Sequence, residues 1–162
     1  MKTLTVFLFL LVSISFCFGQ PIPNYPFKTF LDRDNNLYTT GYEKNGNSKD
    51  IFIEKYSHNT PTVYEWHRVI SNPAGDDSGL DIKADNSGSV FVTGFTFNSA
   101  TNSNDIIVLF LNTSGNVFWS DTYINQGDDK GLAIDMSVDE DGNVVDIFVS
   151  GYITNVVTGK DF

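Results

Sequence analysis

The chain holds a single cysteine, Cys17, and only two histidines, His58 and His67. One thiol makes no internal disulfide framework, so packing must hold the fold together. The two histidines show no His-x-x-x-His spacing, so the sequence gives no signature of that zinc-binding kind. Basic residues are scarce as well: ten Lys and Arg stand against twenty Asp and Glu. Such a surface repels a phosphate backbone, and nucleic acid is not an expected partner. Long apolar runs are missing with one exception, and outside it no window carries sustained helical spacing of apolar residues.

The exception is residues 4–18, an uncharged run that follows Lys2. A positive start, a short apolar stretch and small Gly19 before Gln20 form the pattern of a secretory signal peptide cleaved after Gly19. The run falls short of the roughly 20 residues that a helical span needs. That disfavours a retained anchor and predicts no membrane span in the mature chain. Acylation of Cys17 would make a lipoprotein, but Phe16 stands where a small residue is wanted. The expected organisation is a signal peptide at 1–19 and a mature segment at 20–162, secreted or at the cell surface. Cleavage would remove Lys2 and Cys17, leaving nine Lys and Arg against twenty Asp and Glu, a net charge of −11. That acidity keeps an exported chain soluble.

What the chain has in quantity is aromatic side chains, fourteen Phe and seven Tyr, among scattered Gly, Asn and Ser. That mixture points to strands joined by tight turns. The strands repeat. Leu37-Tyr38-Thr39-Thr40-Gly41-Tyr42 returns as Val90-Phe91-Val92-Thr93-Gly94-Phe95 and again as Ile147-Phe148-Val149-Ser150-Gly151-Tyr152. The first two glycines are 53 residues apart and the third lies 57 further on. Asp50-Ile51-Phe52-Ile53 matches Asp105-Ile106-Ile107-Val108, and Asp161-Phe162 starts a third copy. Tyr64-Glu65-Trp66 matches Val117-Phe118-Trp119, and Gly75-Asp76-Asp77 matches Gly127-Asp128-Asp129. Landmarks in constant order mark a structural repeat.

Each unit reads as four short strands, in the middle copy 90–94, 105–111, 117–123 and 132–138. Asp85-Asn86-Ser87-Gly88, Asn112-Thr113-Ser114-Gly115 and Asp139-Glu140-Asp141-Gly142 supply turns. The stretch 106–111 is apolar at every position, so both of its faces need cover. In the first unit Glu54 and Lys55 stand where Leu109 and Phe110 stand in the second, as suits a terminal sheet with a solvated flank. Trp66 and Trp119 could form a sugar-stacking platform. Their fixed place in the unit favours wedges between adjacent sheets.

The unit resembles the SBBP repeat, a β-propeller repeat of exported bacterial proteins. The resemblance rests on Asp85-Asn86-Ser87-Gly88, the strand ending Thr93-Gly94, Asp105 with its apolar strand, Asn112 to Trp119, and Gly127-Asp128-Asp129. It covers almost the whole mature chain. The first unit departs at Asn35-Asn36 and at His58-Asn59-Thr60-Pro61, the third by an insertion. The resemblance implies an all-β fold of propeller blades, four-stranded antiparallel repeats of about 53 residues, and it carries no catalytic residues to transfer. About two and a half blades fit the mature segment, so the expected ring is incomplete and the sequence reads as a partial product. Exposed blade edges then invite self-association, several chains completing a ring being the alternative.

Of the possible chemistries, calcium binding comes first. With Gly142 at loop position six, Ser137 and Phe148 fall at positions one and twelve, which excludes a helix–loop–helix calcium loop. Asp76, Asp77, Asp128 and Asp129 stay open as ligands of another geometry. Neighbours on an extended backbone point to opposite sides, so turn capping is the favoured role. There is no Gly-x-Ser-x-Gly elbow, and no two carboxylates stand out as a glycosidase pair. Gly115 and Trp119 share the Gly-x-x-x-Trp spacing of pyrroloquinoline-quinone propellers, which supports the architecture and not that cofactor. The expectation is therefore no catalytic residue, no cofactor and no assigned metal ligand. The chain is read as a secreted, non-enzymatic scaffold or binding module for an extracellular protein or glycan. The alternatives are a propeller fragment of a larger exported enzyme and a calcium-dependent adhesin.

Overall fold

A computed structural model describes residues 24–124 and 126–154. The signal segment with Cys17, and Asp161-Phe162, lie outside the described residues. Among the described residues every regular element is a strand: β1 (Asn24–Leu31), β2 (Leu37–Asn45), β3 (Ser48–Tyr56), β4 (Tyr64–Ile70), β5 (Ser78–Ala84), β6 (Val90–Asn98), β7 (Ser103–Leu111), β8 (Val117–Tyr123), β9 (Lys130–Val138) and β10 (Val144–Tyr152). No helix among the described residues is long and apolar enough to cross a membrane. The strands form antiparallel sheets in the orders β1-β2-β3-β4, β5-β6-β7-β8 and β9-β10. Among the described residues these sheets do not close into a ring.

The structure phases the repeat differently from the sequence reading. The stretch 132–138, read as the fourth strand of the middle unit, lies in β9 and opens the third sheet, while β5 completes the second. A periodic pattern has no intrinsic start; turn chemistry sets it. The five-residue turns 32–36, 85–89 and 139–143 join the first two strands of each sheet, and 112–116 joins β7 to β8. In all four the first carbonyl accepts from the fourth residue's N–H, and the first side chain accepts the N–H groups of the third and fifth residues. The fourth position has positive φ, taken by Gly88, Gly115 and Gly142, and in the first turn by Asn35 at 62°. Asn tolerates that region better than other side chains, so the departure at Asn35-Asn36 preserves the turn. The strand β1 precedes the sequence landmarks of the first unit.

The recurrent glycine after Thr or Ser has a steric cause. Each first strand carries one bulged residue, Phe27, Leu80 or Leu132, skipped in the pairing with the second strand. The bulge brings a backbone carbonyl over the glycine opposite, so that a Cβ on Gly41, Gly94 or Gly151 would strike the oxygen of Tyr25, Ser78 or Lys130. Only glycine fits there.

The core lies between the first two sheets. Tyr38, Ile51, Ile53 and Trp66 from one face Ile82, Ala84, Val90, Val92, Ile107, Leu109 and Leu111 from the other, with Phe30 and Ile70 at the margin. Each full burial of a large apolar side chain contributes about 1.5–3 kcal/mol. Along β7 the odd positions are buried against the first sheet, and Ile106, Val108 and Phe110 are half-buried towards the two-stranded third sheet. Both faces of this apolar strand therefore meet protein. In β3, Glu54 and Tyr56 lie on the face turned away from the second sheet, together with Phe52.

Candidate functional site

The two Gly-Asp-Asp segments connect successive sheets and do so with the same bonds. Asp76 accepts the Lys49 N–H at 3.1 Å and the Lys49 ammonium at 2.8 Å. Asp77 donates its N–H to the Lys49 carbonyl and accepts the Phe97 N–H at 2.9 Å. One repeat later, Asp128 accepts the Asn104 N–H at 2.9 Å. Asp129 bonds the Asn104 carbonyl through its N–H and accepts the Thr154 N–H at 2.8 Å. The first carboxylate reaches back to the third strand of one sheet; the second reaches forward to the second strand of the next at Phe97, and to Thr154 just past the end of β10. The paired carboxylates thus point apart and cap backbone donors, as the favoured reading had it.

Asp77 is buried, and desolvation pushes its carboxyl above the usual range, against the Phe97, Thr96 and Asn72 donors that favour the anion. Asp50, Asp105 and Asp129 are also buried. Asp50 Oδ1 and Asp129 Oδ2 have no hydrogen-bond donor among the described residues. No group of three or more His, Cys, Asp or Glu is arranged to hold a metal ion among the described residues.

The tryptophans part company. Trp66 is 7% exposed and wedges between sheets, its indole N–H on the Thr113 carbonyl at 3.1 Å and its ring against Gly115. Arg68 lies over the ring and donates to the Ser114 carbonyl. Beside this wedge runs a groove of about 750 Å³ lined by Lys55, Tyr64, Glu65, His67 and the 113–114 turn. Trp119 holds the equivalent register position, opposite Phe110 as Trp66 is opposite Lys55. It is 45% exposed. The turn that covers Trp66 belongs to the third and fourth strands of the following sheet, and the third sheet has two described strands.

The same comparison reveals a surface that sequence reading missed. In the first sheet Lys55 and Glu65 form an ion pair at 3.0 Å. Their counterparts are Phe110 and Phe118, whose rings meet edge to face at 5.4 Å. Phe110 in turn stacks on Phe91 at 4.8 Å. Phe118 is 75% exposed, and Val117, Trp119 and Tyr123 add to an apolar strip along β8. Aligning Lys55-Glu65 with Phe110-Phe118 was the available signal, but cross-strand pairing had to be known first.

His58 is an exposed turn residue whose N–H bonds Asn36 Oδ1. His67 sits on the outer face of the first sheet between Glu43 and Glu54. These carboxylates lie on opposite ring nitrogens, so one ion could not take both beside a single nitrogen. No protein-family model matches the chain, and no curated protein matches it.

Proposed function

We propose that the chain is an exported β-propeller repeat protein of the SBBP type, acting as a non-enzymatic scaffold or binding module. The observation that carries this reading is the repeated junction. Two successive Gly-Asp-Asp segments join sheet to sheet by the same backbone bonds, which is what a modular array of stacked blades requires. The aromatic strip of β8, with Phe118 and Tyr123 the most exposed, is the binding surface of this reading. Exposed apolar patches of this kind are characteristic of surfaces that a further sheet or a partner covers. Export rests on the sequence pattern of residues 1–19. N-terminal sequencing of the protein recovered from outside the producing cell is expected to begin at Gln20. Recovery only from inside the cell, with residues 1–19 intact, would overturn the assignment.

A further inference from the structure

We propose that His67 is a proton-operated clamp, which fastens three strands of the first sheet over Phe52 while both ring nitrogens carry hydrogen. Nδ1 lies 3.0 Å from Glu54 Oε1 on β3, and Nε2 lies 3.2 Å from Glu43 Oε2 on β2. An ionised carboxylate only accepts hydrogen bonds, so both contacts are bonds only when the ring is the imidazolium. The neutral ring has one N–H; its other nitrogen would present a lone pair to a carboxylate.

The surroundings fit this role. Glu54 also accepts the Tyr56 hydroxyl at 2.8 Å and the Asn24 amide at 3.3 Å, which brings β1 into the same cluster. The ionisable groups facing the ring or its carboxylates are Glu43, Glu54, Tyr56 and Tyr64. Asp50, opposite Glu43 in the register, is held by Asn45. The hydrogen bond to Glu54 and the charges of both glutamates hold the imidazole above its ordinary value of 6.5, against the opposing effect of burial.

The ring is a cover as well as a link. It lies parallel to Phe52, with centroids 6.3 Å apart and planes 9° from each other. Phe52 is 1% exposed on a face that no described sheet covers. Loss of the proton frees one carboxylate and loosens this cover, so rising pH opens an apolar site on the outer face.

The test is an NMR titration of the His67 imidazole in the mature chain. His67 is expected to titrate above its ordinary value of 6.5, and Glu43→Gln is expected to lower its midpoint. Binding of a fluorescent apolar dye should rise several-fold as His67 loses its proton, and His67→Gln should remove that pH dependence. A His67 midpoint at or below 6.5, an unchanged midpoint in Glu43→Gln, or flat dye fluorescence across the titration would each overturn the proposal. Should His67→Gln fail to fold, the wild-type and Glu43→Gln titrations still decide it.

Discussion

Gly115 joins two constraints at one residue: φ is 75°, and an added Cβ would lie 2.6 Å from the Trp66 ring. Gly46 has a comparable φ of 61° with nothing within 4 Å. Gly46→Ala is therefore expected to cost about 1–2 kcal/mol of backbone strain. Gly115→Ala adds overpacking of a further ~1–3 kcal/mol. Thermal unfolding of the two variants separates the terms, and equal losses would deny the Trp66 contact. The tryptophans give a second contrast. Trp66→Ala should cost about 3–5 kcal/mol, as for a large aromatic core deletion. Trp119→Ala should cost under about 1 kcal/mol, in the range of surface changes. Equal recurrence in sequence marked both as wedges; only Trp66 is one among the described residues, because its partner turn at 112–116 is present.

At the scale of elements, the connecting segments do the ordering. Asp77→Ala removes the acceptor of the Phe97 N–H and is expected to cost about 1–3 kcal/mol. Asp77→Asn keeps an acceptor and removes a buried charge, so its melting temperature at pH 7 should lie close to the wild type. The sign of the pH dependence follows from burial. The folded carboxyl is raised above its ordinary value of 3.8, so Asp77 favours folding below that value, and this contribution is lost as pH rises through its folded value. Asp77→Asn should remove that part of the stability profile in acid titrations followed by circular dichroism. Added calcium is expected to leave the melting temperature unchanged, since Asp76, Asp77, Asp128 and Asp129 already hold backbone donors. A rise would restore the metal-ligand role. Turn identity was legible at this scale from Asp85, Asn112, Asp139 and their glycines. The starting strand of each sheet was not, since the order of Asp85 turn, strand and Asp105 strand reads the same from either side of Gly-Asp-Asp.

For the whole molecule, the outer faces of the stack differ in kind. The first sheet shows the polar Glu43-His67-Glu54 cluster over Phe52, and β8 shows an aromatic strip. Stability should fall with rising pH on account of His67. A folded value raised above 6.5 places its full contribution below that pH and loses it as pH rises through the folded value. Melting temperatures from pH 6 upward, with His67→Gln as reference, check the sign. The aromatic strip makes a separate demand. Light scattering on the mature chain should show association that rises with concentration, and the pair Phe118→Ser with Trp119→Ser should reduce it. Unchanged mass in the double variant would remove β8 from the contact surface.

Sequence by itself determined the all-β class, the repeat, the turns and the capping tendency of the Gly-Asp-Asp segments. These follow from short-range chemistry: alternation and apolar runs for strands, positive φ at Gly88, Gly115 and Gly142, and opposite side-chain directions for adjacent aspartates. Tertiary structure alone decided which strands share a sheet, which tryptophan is covered, and that His67 meets Glu43 and Glu54. The contacts that cover Trp66 and hold His67 join residues 13 or more apart in the chain, and spacing along one strand carries no record of the face that another strand presents to it.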